Sequence, residues 1–248
     1  MCCFSRPIKL VSDTNIFARM SKKGHQFLVY SMKLDTKYDV AMVLPLPVPK
    51  GTGDKGVRFI NLEAYSDFFK HLRKGFPVPR TLGPGRSNRG RAPEQAKQLE
   101  VVQVGSFEAS FVPTVKDFDR LDERFRMPAD AWDKLKGYHD WGFAVFKLKP
   151  GKRTIHPMAF EFPTRTKKLF FPTLHIHDGK VVDRAKFDHS LFLQAEPEGG
   201  VRLKGWEESP KVASDFMKVS LTKGTVKANR HCYRKRIHGV RKNVDVVV

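Results

Sequence analysis

The chain has 248 residues, 40% of them hydrophobic and 20 of them phenylalanine; this is enough apolar material for one large domain with a proper core, and it excludes a disordered chain. Lys and Arg number 46 against 26 Asp and Glu, and the formal charge of +20 favours anionic partners: nucleic acid, acidic lipid or an acidic protein. Three cysteines make no disulfide framework, no stretch approaches the ~18 apolar residues of a membrane span, and Arg6, Lys9 and Asp13 interrupt any signal-peptide core, so a reducing cytoplasm is the expected compartment.

The first elements read as β-structure. Ile16 to Arg19 and Phe27 to Leu34 are β-prone runs flanking a polar SKKGH turn, which is a hairpin pattern. Val40 to Leu44 reads as a buried strand. Prolines 45, 47 and 49 then remove backbone donors and hold its exit extended, either packed on the core or docked in a groove; the packed exit is expected. Val57 to Leu62 follows as a short strand. Glu63 to Lys74 has helical spacing, with Tyr65, Phe68, Phe69 and Leu72 on one face and Gly75 and Pro77 as its stop.

Residues 77–98, PVPRTLGPGRSNRGRAPEQAKQ, set Arg80, Arg86, Arg89, Arg91 and Lys97 against a single acid, Glu94. The composition fits a solvated loop inside the domain. It also fits contact with a phosphate backbone, which makes Arg80, Arg86, Arg89 and Arg91 candidate anion-binding residues. Val101 to Val112 alternates as one or two strands around Gly105. Val115 to Phe125 and a segment starting at Pro128 then read as two helices. A helix-turn-helix reading fails on the second, because Asp130, Asp133 and Asp140 stand where a recognition helix presents Arg, Asn or Gln. Trp141 to Leu148 is a strong strand pattern.

The segment from His156 to His189 holds four of the nine histidines. If Thr173 to His177 is a strand, alternation puts His175 and His177 on one face. With His156, Asp178 or His189 supplied by adjacent strands, they could complete a three- or four-ligand site for a divalent metal such as zinc; alternating histidines also arise on a solvated strand face. Ser190 to Gln194 is the last clear strand pattern. Beyond Glu196 the chain turns basic, centred on KANRHCYRKRIHGVRK, whose Arg230, Arg234, Lys235, Arg236, Arg241 and Lys242 suit an anionic surface. The expected organisation is therefore α+β: a β-rich core with a few short helices over residues 1–196, and a basic C-terminal extension over 197–248.

Two resemblances follow from these motifs. Cys2-Cys3-Phe4 with Pro7, the VAMVLPLPVP segment, the strand FAVFKLKPG and HPMAFEFP together resemble a family of uncharacterised bacterial proteins, over roughly residues 1–178. That family is mostly exported and has no assigned chemistry, so the likeness implies shape and no activity; this chain differs in its start and in its basic end. Locally, Cys2-Cys3 followed by a hairpin and Arg19 resembles the N-terminal nucleophile amidases of the choloylglycine-hydrolase kind. Trimming of Met1 would free an amine beside the Cys2 thiol, nucleophile and base in one residue. The aspartate that normally follows the arginine is replaced here by Ser21 and Lys22.

Two functions are thus expected as alternatives. One is a basic binding module that docks an anionic polymer through the 80–98 and 227–242 segments. The other is a cysteine- or metal-dependent hydrolase using Cys2, Arg19 and the histidines. Whether the chain is an enzyme stays open at this point.

Overall fold

The computed structural model describes residues 2–22, 24–76, 102–105, 107–121, 126, 136–177, 180–195 and 203–248. In chain order the strands are β1 (Cys2–Phe4), β2 (Leu10–Lys22), β3 (His25–Thr36), β4 (Val40–Leu46) and β5 (Arg58–Asn61), before helix α1 (Phe68–Lys74). There follow β6 (Val102–Val104), β7 (Phe107–Val112), β8 (Gly142–Leu148), β9 (Gly151–Thr154), β10 (Met158–Pro163), β11 (Phe170–Phe171) and β12 (His175–His177). The chain closes with β13 (Lys180–Val181), β14 (Arg184–Gln194), β15 (Glu207–Val212), β16 (His231–Lys242) and β17 (Val246–Val247).

The strands form two large sheets. One runs β13-β12-β1-β4-β8-β7-β6; the other runs β15-β16-β14-β2-β3-β10-β5, with β9 added along β3. Alternation in the second sheet is apolar on both faces. Ile16, Ala18, Leu28, Tyr30, Met158, Phe160, Leu191 and Leu193 point into the core shared with the first sheet. Phe17, Val29, Ala159 and Phe192 point the other way, into a smaller core closed by α1 and residues 213–226. A strand buried on both faces has no polar register to alternate with, which is why these runs read as continuous hydrophobics. The fold is accordingly β-dominated with few helices.

Local signals hold in several places. Gly24 takes φ +73 at the β2–β3 turn, a backbone region that excludes most side chains. In β4 every residue is buried, Pro45 included. Pro45 pairs Phe143 on one side, while on the other side the registered pairs with β1 stop at Val43, so no neighbour needs the missing donor. The proline segment is a packed strand exit. The expected helix at 63–74 appears as a 3-10 turn at Glu63–Tyr65 followed by α1, with Tyr65, Phe68, Phe69 and Leu72 in the smaller core.

Three expectations need correction or fall elsewhere. Of the helix expected over 115–125, the described residues form a 3-10 turn at Val115–Arg120, with Phe118 and Leu121 buried as its spacing requires, and 122–125 lie outside the described residues. The helix expected from Pro128 falls largely outside the described residues, and a 3-10 turn at Lys136–Tyr138 follows. The 197–248 segment, expected as a basic extension, supplies β15, β16 and β17 from Glu207 onward. β16 pairs with β14 from Leu193↔Tyr233 to Arg184↔Lys242, and β17 pairs with β11. The dense Lys and Arg in β16 hide its period-2 pattern, because only one of its faces is apolar and that face is short.

The chain end is fixed by polar groups. Asp245 Oδ1 accepts the N–H groups of Thr173 (2.7 Å) and Leu174 (2.8 Å), and Tyr138 Oη donates to Asp245 Oδ2 at 2.5 Å. Burial, and then the nearby Asp245 charge, push the Tyr138 phenol well above its ordinary range, so it is a permanent donor. Leu169 and Val248 exchange both backbone hydrogen bonds.

Candidate functional site: a basic sheet face and a buried histidine pair

β16 carries most of the charge that composition predicts should matter, and pairing decides which part of it faces outward. Cross-strand partners share a face. On the face away from the shared core lie Arg236 beside Ser190, His238 beside Asp188, Val240 beside Lys186 and Lys242 beside Arg184. Arg184, Lys186, Arg236, His238 and Lys242 are all exposed. Asp188 accepts the N–H of Asp13 at 2.9 Å and pairs with His238 at 3.2 Å. Asp13, held at φ +50, in turn gathers Lys33 (3.2 Å) and Arg73 (3.5 Å). The result is a field of cations with two carboxylates set among them.

The remaining basic candidates divide. Arg234 is only 6% exposed; it lies over the Phe76 ring at 4.7 Å and donates twice to Glu207, at 2.6 and 3.0 Å. It anchors β15 and α1's end and is not available to a ligand, a correction to the sequence expectation. Lys235 lies on the core-side face, 5.9 Å from the Trp206 ring. Arg230 is half-buried and its carbonyl accepts from Ala213 and Gln194. Arg241 is exposed but on the face opposite Arg236. Arg80, Arg86, Arg89 and Arg91 lie outside the described residues.

Of the candidate metal ligands, the structure brings His175 and His189 together. β1 runs parallel to β12 with Cys2 opposite His175, and the two large sheets approach so that His175 Nε2 and His189 Nε2 stand 3.3 Å apart, both rings buried. His175 is held by Asn243, whose Oδ1 accepts the His175 N–H at 2.6 Å while its Nδ2 donates to the His175 carbonyl at 2.8 Å. The Phe187 ring lies 4.4 Å from His175 and 5.2 Å from His189. His156 is elsewhere, stacked on Phe107 at 4.3 Å. Its burial holds the imidazole below its usual value, hence neutral. His177 belongs to β12, and Asp178 lies outside the described residues.

Arg19, expected beside the Cys2 nucleophile, sits in the other sheet. It donates to the carbonyls of Thr225 (2.8 Å), Gly224 (2.5 Å) and Met20 (2.9 Å), and lies over Phe27 at 4.9 Å. It therefore fixes the 222–225 loop. Cys232 is buried, and burial pushes its thiol up to about 12, which leaves it inert at neutral pH. Sequence reasoning missed a groove of about 510 Å³ lined by His71, Lys74, Lys211, Asp215 and Lys218. Its walls come from two segments some 140 residues apart, and no local motif signals it.

Two large β-sheets share one core, and the second carries a basic outer face; among the described residues no group of three His, Cys, Asp or Glu lies together. No helix among the described residues is long and apolar enough to cross a membrane. No protein-family model matches the chain. Baculovirus P35 superposes with a TM-score of 0.51 at 15% identity, over 96% of this chain and 96% of that one. A mutated baculovirus P35 after caspase cleavage gives 0.48 at 14% identity over 95% and 99%; P35 in its complex with caspase-8 gives 0.47 at 13% over 95% and 95%. The first of these identifies a shared fold along nearly the whole of both chains.

Proposed function

We propose that this chain is a non-catalytic binding module for an acidic protein partner, and that the partner is a protease of the caspase kind. The P35-like fold over almost the full length of both chains is the observation that carries the reading. P35 is known in a complex with caspase-8, and a mutated P35 is known after caspase cleavage. Transfer of a function along a fold is analogy, so the chemistry of this chain has to specify the partner. The segment from 77 to 98 joins the end of α1 to β6, and its arginines face one acid, Glu94. The sequence of that segment makes Arg the residue that such a protease's specificity pocket would have to recognise. A pocket that accepts Arg needs a buried carboxylate, and the +20 charge steers an acidic enzyme toward it.

Incubation with a caspase-fold protease that cleaves after arginine is expected to give one cut between residues 77 and 98, loss of protease activity, and a complex that survives gel filtration. A second protease of the same fold that cleaves after aspartate should do none of these. Multiple cuts with full retained activity in both arms reject the proposal. A second reading, docking of a nucleic-acid backbone, is favoured by the Arg184, Lys186, Arg236 and Lys242 face.

A further inference from the structure

We propose that the groove between the end of α1 and residues 210–218 binds a small phosphate monoester with an apolar body, such as an aryl phosphate. Its volume is about 510 Å³, inside the ~300–1,000 Å³ range of small-molecule sites. The first support is uncompensated charge. Lys74, Lys211 and Lys218 line the groove against one carboxylate, Asp215. Among the described residues none of these lysines is in an ion pair. By contrast Lys33 and Arg73 pair with Asp13, and Arg234 pairs with Glu207. Asp215 Oδ1 accepts from the Ser214 hydroxyl at 3.4 Å. Three lysines against one aspartate leave an excess of two positive charges. A phosphate monoester, at about −1.5 to −2 near pH 7, matches that excess.

The second support is that the walls are built and not incidental. A Cβ at Gly75 would meet three atoms of the Phe216 ring at 2.5, 2.6 and 2.8 Å, so only glycine lets the ring approach α1 this closely. Phe216, Met217 and Pro210 make the groove's apolar wall, which suits the body of the ligand. The backbone behind that wall is fastened at several points. Lys218 N–H donates to Tyr65 Oη at 2.8 Å, and Met217 N–H donates to the Ala213 carbonyl at 2.8 Å. Ala213 and Ser214 N–H donate in turn to the carbonyls of Arg230 (2.9 Å) and Ala228 (3.0 Å). Across the groove, the carbonyls of Leu72 and Arg73 that end α1 are taken by the Gly75 and Phe76 N–H groups, at 3.2 and 3.1 Å. The helix end therefore presents no bare acceptor there. Both walls stand in place before a ligand arrives, which lowers the ordering cost of binding.

The third support is His71. Tyr65 Oη accepts from Lys218 and so gives its own proton to His71 Nδ1, at 3.0 Å. That leaves the proton of the neutral ring on Nε2, a further donor in the groove lining. Burial lowers the His71 pKa first; Lys74, Lys218 and Lys70 lower it further, against Asp67. Lys211 and Asp215 also line the groove. A phosphate dianion held among the lysines opposes their effect, so the ring should titrate at higher pH when the ligand is bound. A small ligand here neither requires nor blocks a bound protease.

The test uses the full chain with phenyl phosphate and inorganic phosphate, by isothermal titration calorimetry at constant ionic strength. Phenyl phosphate is expected to bind at one site, at least about tenfold more tightly than inorganic phosphate, the gain from half-burying one phenyl ring. Lys74→Ala/Lys218→Ala should weaken it at least about tenfold through lost charge-assisted hydrogen bonds. Lys116→Ala/Lys152→Ala removes the same charge from exposed lysines that do not line the groove. That pair should weaken binding less than about threefold. Should the groove variant fail to fold, the wild-type His71 ring resonances decide: their titration midpoint must rise when phenyl phosphate saturates the protein. Absence of saturable binding, equal weakening by the two lysine pairs, or an unmoved His71 midpoint overturns the site. Phenyl phosphate that binds no more tightly than inorganic phosphate overturns the ligand class.

Discussion

His71 and His156 show how a single side chain couples this fold to pH. His71 Nδ1 accepts from Tyr65 Oη at 3.0 Å, and Tyr65 Oη itself accepts the Lys218 N–H at 2.8 Å. Burial lowers the His71 pKa first, and Lys74 adds to it; burial does the same to His156. Both folded values therefore lie below the ordinary 6.5. The unfolded chain binds more protons, so this stabilisation is complete above 6.5 and is lost as pH falls toward the folded values. The urea midpoint should drop between about pH 7.5 and about pH 5.5, above the range where carboxylates protonate. The drop should be smaller in His71→Gln/His156→Gln. A midpoint that stays level or rises on acidification contradicts this account.

At the scale of elements, β14 is the strand on which the second sheet depends. It joins β2 in parallel and β16 antiparallel, and its side chains feed both cores. Phe192 is fully buried, with Phe69 at 6.1 Å and Phe76 at 5.8 Å. Removing its ring opens a cavity between α1 and the sheet. Phe192→Ala should cost about 3–5 kcal/mol, measured by urea unfolding monitored through circular dichroism. A loss below about 1 kcal/mol would show that α1 collapses into the space and that the smaller core is loosely packed. β16 depends on the same strand, so its basic face and the smaller core should unfold together.

For the whole molecule, the question is whether +20 acts as a diffuse field or through one face. The outer row of Arg184, Lys186, Arg236 and Lys242 predicts a face. Affinity for generic duplex DNA should fall with salt, with a log–log slope of about −0.9 per phosphate neutralised. Lys186→Glu/Arg236→Glu should flatten that slope, whereas an equal charge change at Lys116 and Lys211 should alter it less. Equal effects of the two pairs would mean a diffuse field and would remove the sheet face as a docking surface.

Much of the architecture was legible before any fold was known. The β-prone run of Phe27 to Leu34, the turn at Gly24, the buried run of β4 and the aromatic face of α1 are local patterns, written within a dozen residues by apolar content and spacing. The surplus charge was equally plain. Tertiary structure alone decided how that charge is used: Arg234 is withdrawn to Glu207 and Phe76, while Arg236, two residues on, faces water. It alone also placed His189 against His175, and Cys2 opposite His175. These are contacts across strands and between sheets. They depend on which edges meet, and strand register is set by the packing of both faces, which no linear spacing encodes.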